Sequence, residues 1–154
     1  MVRIDDKRSS ERFWQVADHF REVEVEWIPT NAGYERQCLV EFDGKSWTVC
    51  LKIHVIPVAH ETGEMWLGFK ASVTIWPPPI NEQDERRLAR KGWYAASKRA
   101  LLRRGYRGKW SESPSGKWGD FWKDLHGVVA VRREAKRLDQ IPVALSALNQ
   151  TAAR

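Results

Sequence analysis

The stretch Cys38–Val55, CLVEFDGKSWTVCLKIHV, decides the fold because it places two alternating apolar segments on either side of a turn. Asp43-Gly44 is typical of a two-residue type I′ turn, in which both central residues adopt positive φ. With that turn Val40 lies opposite Trp47, and the apolar side chains of the two segments share one face. A three-residue loop would oppose Val40 with Thr48 and break this match, so the sequence predicts a tight hairpin.

The same alternation continues on both sides of this hairpin. A loop that contains Gly63 returns the chain, and it aligns the apolar residues of 47–55 with those of 69–75. Upstream, valines and a tryptophan alternate with glutamates over residues 22–27. We therefore predict a four-stranded antiparallel meander over residues 22–76, with one apolar face and one polar, solvated face. Trp66 and Trp76 flank the polar face.

Helical periodicity surrounds the predicted sheet. Apolar residues recur at helical spacing over residues 10–21, and Asn81 is a good N-cap for one long helix over 81–104. A basic loop over 105–117 and C-terminal helices over 118–152 follow, although 128–131 also suits a short strand. The interpretation is a single two-layer α+β domain over residues 1–154, with an N-terminal helix and with the C-terminal helices packed on one sheet face.

Composition and ends narrow the setting of the protein. The sequence is 42% hydrophobic and 30% charged, and it contains two cysteines. No apolar run approaches the roughly 20 residues that cross a bilayer, and the charged start is unlike a signal peptide. We therefore expect a cytoplasmic protein with no membrane partner and no disulfide framework. The sequence is silent on the oligomeric state.

Charge is divided unevenly along the chain. Residues 1–80 contain nine Lys/Arg against twelve Asp/Glu, a net −3, whereas residues 81–154 contain seventeen against eight, a net +9. A step of this kind is typical of a surface that meets phosphates or an acidic partner, although solvated helix surfaces are also often basic.

Three motifs suggest catalysis or metal binding, and each has a simpler explanation. The string from Glu41 to Lys45 resembles the acidic-x-Lys signature of Mg²⁺-dependent nucleases, yet Asp43 is already explained by the turn. The two cysteines fall on opposite faces of the predicted sheet, so they cannot converge on zinc. Tyr94 and Lys98 have the Tyr-x-x-x-Lys spacing of short-chain dehydrogenases, but the sequence has no G-x-G-x-x-G turn. We expect no cofactor and no metal, and the nuclease is the least favoured function.

The segment from Lys98 to Lys123 combines cations with aromatic rings. It contains eight Lys/Arg against two acidic residues, with Tyr106, Trp110 and Trp118 among them. Cations that meet phosphates and rings that stack on bases are what single-stranded nucleic-acid binding uses. We predict a non-catalytic nucleic-acid-binding protein in which the region after the long helix projects as a flexible basic arm. The predicted binding residues are Arg87, Arg90, Lys91, Tyr94, Lys98, Arg103, Arg104, Tyr106, Arg107, Lys109, Trp110 and Lys117.

A protein-interaction module that binds an acidic partner surface is the alternative. Nine tryptophans are many for one core of this size. Exposed aromatic and arginine side chains are typical interface anchors, and a basic arm would suit an acidic protein as well as nucleic acid.

Overall fold

The computed structural model describes residues 2–3, 28–30, 33–59 and 65–152. The predicted helix over 10–21 and the predicted strand over 22–27 lie outside these residues. The rest of the chain forms an α+β fold in which an antiparallel sheet is followed by C-terminal helices that pack on it.

Within the described residues the sheet has seven strands, two short and five longer. The strands are β1 (Val2–Arg3), β2 (Ile28–Thr30), β3 (Gly33–Phe42), β4 (Lys45–Ala59), β5 (Met65–Trp76), β6 (Arg107–Ser113) and β7 (Gly116–Leu125). Their order is β2-β3-β4-β5-β7-β6, and β1 pairs with β5. The prediction of four strands is therefore wrong, because a second hairpin, β6-β7, extends the sheet beyond β5.

The hairpin around Asp43-Gly44 has the predicted turn. β3 ends at Phe42 and β4 begins at Lys45, and the two residues between them have φ of 52° at Asp43 and 72° at Gly44. Val40, Phe42, Trp47 and the alternate residues that follow are buried, whereas their strand neighbours are exposed or half-buried. The two-residue period therefore assigns the core face of this hairpin correctly.

The single long helix predicted over 81–104 is wrong, because the structure has two helices there. They are α1 (Glu82–Arg90) and α2 (Trp93–Leu102). Asn81 caps the first as expected: its side chain accepts from the N–H of Asp84, whose carboxylate accepts from the N–H of Asn81. Gly92, with φ of 75°, then interrupts the helix in a left-handed conformation that glycine adopts at little cost.

The segment 105–117 is not a basic loop, and 118–125 is not helical. Strands β6 and β7 form an antiparallel hairpin in which Ser111 lies opposite Trp118 and Lys109 lies opposite Asp120. Gly119 and Phe121 are buried while Trp118, Asp120 and Trp122 are half-buried, so the burial has a period of two rather than 3.6. Two helices follow, α3 (Val128–Leu138) and α4 (Gln140–Ala152), which makes 128–131 helical.

The chain divides into two compact units. One comprises 1–36, 51–71 and 124–137, and the other comprises 37–50, 72–123 and 138–154. The prediction that residues 1–154 form one domain remains a prediction. The second unit contains the residues considered below, and in it α2 packs against α1, α4 and β6. No helix in the described part of the chain is both long and apolar enough to cross a membrane.

Candidate nucleic-acid interface

A cluster of aromatic rings fills the space between the sheet and α2. Trp93, the first residue of α2, stacks on Phe42 with ring centroids 4.6 Å apart, and it lies 5.5 Å from Trp47. Trp110 of β6 meets Trp47 and Tyr94 edge-on, at 5.7 and 5.0 Å. These rings form the inner cluster, which consists of Phe42, Trp47, Trp93, Tyr94, Trp110 and Phe121.

Of the rings that were predicted to stack on bases, Tyr106 is buried and Trp110 is half-buried, so neither projects into solvent. Tyr106 is only 2% exposed, and the ammonium of Lys123 sits 5.2 Å from its ring centroid. The indole N–H of Trp110 donates to Ser97 Oγ at 3.2 Å, and Ser97 Oγ donates to the carbonyl of Trp93 at 2.7 Å. The prediction of a flexible, projecting arm with exposed Tyr106 and Trp110 rings is therefore wrong.

Tyr94, another predicted binding residue, also joins the inner cluster. Its hydroxyl is buried without a hydrogen-bond partner in the described residues. Burial, and to a lesser extent the charges of Glu85 and Glu112, raise the pKa of Tyr94 well above its ordinary value. The phenol therefore stays neutral at physiological pH, unlike an acid/base tyrosine, whose pKa is lowered toward the working range.

Three of the predicted binding cations are engaged by the protein's own carboxylates. Arg87 Nε lies 2.6 Å from one oxygen of Asp43, and Lys91 Nζ lies 2.5 Å from the other. Lys117 lies 3.5 Å from Glu112 and 4.7 Å from the ring centroid of Tyr94. Lys91 and Arg87 connect the β3-β4 turn to α1 and the residue after it, and Lys117 connects the β6-β7 hairpin to α2 through Tyr94. They contribute to folding more directly than to ligand binding.

The two cations that contact Asp43 also bear on the nuclease hypothesis. The hydrogen bond from Lys91, and after it that from Arg87, lower the pKa of Asp43 although burial opposes them. The carboxylate is already neutralised by these cations, and the backbone N–H of Asp43 donates to Asn149 Oδ1 at 2.9 Å. No group of three or more His, Cys, Asp or Glu side chains suited to a metal ion occurs among the described residues.

The remaining predicted cations are exposed, and most of them lie shortly before β6 or on it. Arg90 stands apart on α1, while the others lie between the second half of α2 and the start of β6. Together with Arg99, which was not among the predicted binding residues, they form a surface that we name the basic edge. The basic edge consists of Lys98, Arg99, Arg103, Arg104, Arg107 and Lys109.

The basic edge follows from the local sequence. Between Lys98 and Ser111 there are six Lys/Arg and no Asp or Glu, and Glu112, the next acidic residue, pairs with Lys117. Lys98, Arg99, Arg103 and Lys109 form no ion pair with any carboxylate in the described residues. β6 is the last strand in the sheet order, and charged side chains are typical of such edge strands.

The face of the β6-β7 hairpin that points away from the inner cluster carries an aromatic pair that was not predicted from the sequence. Trp118 of β7 stacks on Trp76 of β5 with centroids 5.0 Å apart and planes 9° from parallel. Trp76 is 46% exposed, as its predicted position on the polar face implies. The helix predicted from residue 118 onward would place Trp118 in a helical stripe, and this is wrong. We name these two residues the outer tryptophan pair.

A signal for the outer tryptophan pair was present in the sequence. Glycine and phenylalanine at 119 and 121 alternate with Trp118, Asp120 and Trp122, which is the pattern of a strand with one wet face. The spacing of Trp118, Trp122 and Leu125 also fits a helix. Because this helical period competes with the strand period, the sequence did not identify Trp118 as a strand residue.

The comparisons with known proteins add no further constraint on this site. No protein-family model, no curated protein and no solved structure matches the chain. The functional assignment therefore depends on the geometry and charge of the described residues.

Proposed function

We propose that this protein binds nucleic acid without catalysis and that the basic edge makes the phosphate contacts. The observation that supports this proposal most strongly is the run from Lys98 to Lys109, six exposed cations with no acidic residue among them. Four of these cations have no ion-pair partner among the described carboxylates, so they can meet phosphates without first breaking a salt bridge.

The arrangement favours contacts that depend on charge rather than on base sequence. Arg103 and Arg104 lie in the turn that follows α2, while Arg107 and Lys109 lie on the outer face of the edge strand. Helix, turn and strand hold the cations on a folded surface, so less conformational entropy is lost on binding than in a flexible arm. If about four of them neutralise phosphates, the logarithm of the binding constant should fall with the logarithm of salt concentration with a slope of about −3 to −4.

Salt titration of binding tests this proposal directly. Fluorescence anisotropy with labelled single- and double-stranded oligonucleotides should give a steep, log-linear loss of affinity with salt. The double variant Arg103→Glu/Lys109→Glu should bind at least about tenfold more weakly at low salt, because two phosphate contacts become repulsions. Neither side chain is paired within the described residues, so this variant should keep its fold.

The matched control is Arg132→Glu/Arg133→Glu, which changes the net charge by the same amount on exposed positions of α3. This control should retain the affinity of the unsubstituted protein. Equal losses in the two double variants would show that the overall charge, and not the basic edge, determines binding. Absence of binding to any oligonucleotide at low salt would refute the proposal.

An acidic protein partner is the second candidate, and one observation favours it. Leu102, which lies between Arg99 and Arg103 in the sequence, is 45% exposed, and exposed apolar and arginine side chains are typical of protein interfaces. Leu102→Ala should weaken a protein complex, whereas it should leave the affinity for oligonucleotides unchanged.

A further inference from the structure

We propose that the outer tryptophan pair is a stacking site for an unpaired base, so that the ligand of this protein is a single-stranded nucleic acid. This inference rests on the proposed function and specifies its ligand. Its stacking residues, Trp76 and Trp118, lie outside the basic edge, and it shares only Arg107 and Lys109 with that surface, so loss of stacking and loss of phosphate contacts can be measured separately.

The geometry of the pair is that of a preformed platform. Trp118 covers one face of the Trp76 ring in near-parallel contact, at 5.0 Å and 9°. Trp76 nevertheless remains 46% exposed, whereas the buried tryptophans of the same unit, Trp47 and Trp93, are 0% exposed. A large ring that is fixed from behind and open in front offers contact area to a ligand without a large loss of side-chain entropy.

Sequence neighbours hold the platform in place. Trp76 is the last residue of β5, and three prolines follow it, so the backbone beyond the ring has restricted φ angles. Trp118 lies within β7, the strand adjacent to β5 in the sheet. Both backbones are therefore fixed by the sheet.

Cations lie next to the platform on the same side of the sheet. In the β6-β7 register Ser111 is opposite Trp118, Lys109 is opposite Asp120, and Arg107 is opposite Trp122. Residues that lie opposite each other share a face, so Arg107 and Lys109 project on the side of Trp118. Two residues along a strand span about 7 Å, so Lys109 is within reach of a phosphate next to a base on the platform.

This combination distinguishes single strands from duplexes. A duplex presents phosphates, but its bases are stacked on one another and have no free face for Trp76. A single strand offers both, and stacking on an aromatic side chain accepts any base. Within this register Arg107 and Lys109 outnumber Asp120, the acidic residue opposite Lys109, so the face favours an anionic occupant, and the open ring favours one with unpaired bases.

The test compares an oligothymidylate of about 15 nucleotides with a duplex of the same length, at one salt concentration. Trp76→Ala should lower the affinity for the oligothymidylate about tenfold and leave the affinity for the duplex unchanged. Trp76→Phe should restore most of the loss, because it retains a flat ring. The control Leu39→Ala removes another exposed apolar side chain, 69% exposed, and should change neither affinity.

Each result separates the two proposals. Unchanged oligothymidylate binding by Trp76→Ala, with weakened binding by Arg103→Glu/Lys109→Glu, would overturn the stacking site and leave the basic edge intact. Equal losses for both ligands in Trp76→Ala, without rescue by Trp76→Phe, would also overturn it. Failure of the unsubstituted protein to bind either ligand would refute the proposed function and this inference together.

Discussion

Trp110 and Trp118 belong to the same hairpin and are both half-buried, but they project from opposite faces of it. Trp110 points to the inner face, where Trp47, Trp93 and Tyr94 surround it and Ser97 accepts its indole N–H. Trp118 points to the outer face and supports the exposed Trp76. The difference shows that strand alternation, and not aromatic content, decides which rings of this protein can meet a ligand.

The inner cluster packs large rings tightly although some of their polar atoms lose hydrogen bonds to water. The indole nitrogens of Trp47 and Trp93 are buried with no hydrogen-bond partner in the described residues. An unsatisfied buried donor costs about 1–3 kcal/mol. Burying each large ring offsets this cost, since an aromatic side chain removes about 150–250 Å² from water. The outer tryptophan pair differs, because it leaves apolar ring surface in water and so gains less free energy from burial.

The largest effect should come from truncating the two kinds of tryptophan in parallel. Trp93→Ala should lower the free energy of unfolding by about 3–5 kcal/mol, because it leaves a cavity among Phe42, Trp47 and Trp110. Trp76→Ala should lower it by less than about 1 kcal/mol, because the ring is half in water. Chemical denaturation measures both. Similar losses in the two variants would contradict the assignment of the faces.

The next largest effect tests the hairpin that separates the two faces. A Cβ at Gly108 would collide with the carbonyl oxygen of Asp120 and lie 2.7 Å from Phe121 Cα, and φ there is 143°. Gly108→Ala should therefore destabilise the protein by about 3 kcal/mol or more, since backbone atoms must move. The control Gly92→Ala has positive φ but no atom within 4 Å, so it should cost about 1 kcal/mol. Equal losses of unfolding free energy in the two variants would contradict the close approach of Gly108 to the backbone of Asp120 and Phe121.

A smaller effect concerns the ion pairs that join the β3-β4 turn to α1. Asp43→Asn tolerates the positive φ and keeps the shape of the side chain, so it removes only the charge that Arg87 and Lys91 share. These cations are partly exposed, which limits the expected loss of unfolding free energy to about 1 kcal/mol.

The pH dependence of this difference follows from the lowered pKa of Asp43. A carboxylate with a lowered pKa stabilises the fold above its ordinary value of 3.8, and the contribution disappears as the pH falls through the folded-state pKa. The stabilities of the unsubstituted protein and of Asp43→Asn should therefore differ at neutral pH and converge below 3.8. A constant difference across that range would mean that the substitution acts through the turn and not through charge.

Sequence reasoning succeeded where one period was unambiguous. Val40, Phe42, Trp47 and Val49 are all less than 2% exposed, as the register of the Asp43-Gly44 turn requires. The antiparallel sheet and the presence of C-terminal helices that pack on it were also predicted, although the first of those helices was predicted to begin in what is strand β7. The N-cap at Asn81 was also found, because its chemistry is local.

Sequence reasoning failed where helical and strand periods fitted the same residues, or where the conformation of a single residue determined the structure. Gly92 was placed inside a helix, although its left-handed conformation divides 81–104 and makes Trp93, Ser97 and Leu101 the buried positions of α2. A glycine in a helix interior costs only about 1 kcal/mol relative to alanine, so propensity alone does not decide between a helix interior and a helix break. Which cations pair with Asp43 depends on contacts across the fold, so spacing along the chain could not reveal them.

The most direct test of the central claim is two-dimensional NMR of the indole N–H groups during titration with an oligothymidylate, with Trp→Phe variants to assign them. We predict that the resonances of Trp76 and Trp118 shift with increasing ligand, while those of Trp47, Trp93 and Trp110 stay in place. Saturation of the protein with no movement of Trp76 and Trp118, or with shifts confined to the inner cluster, would contradict the claim.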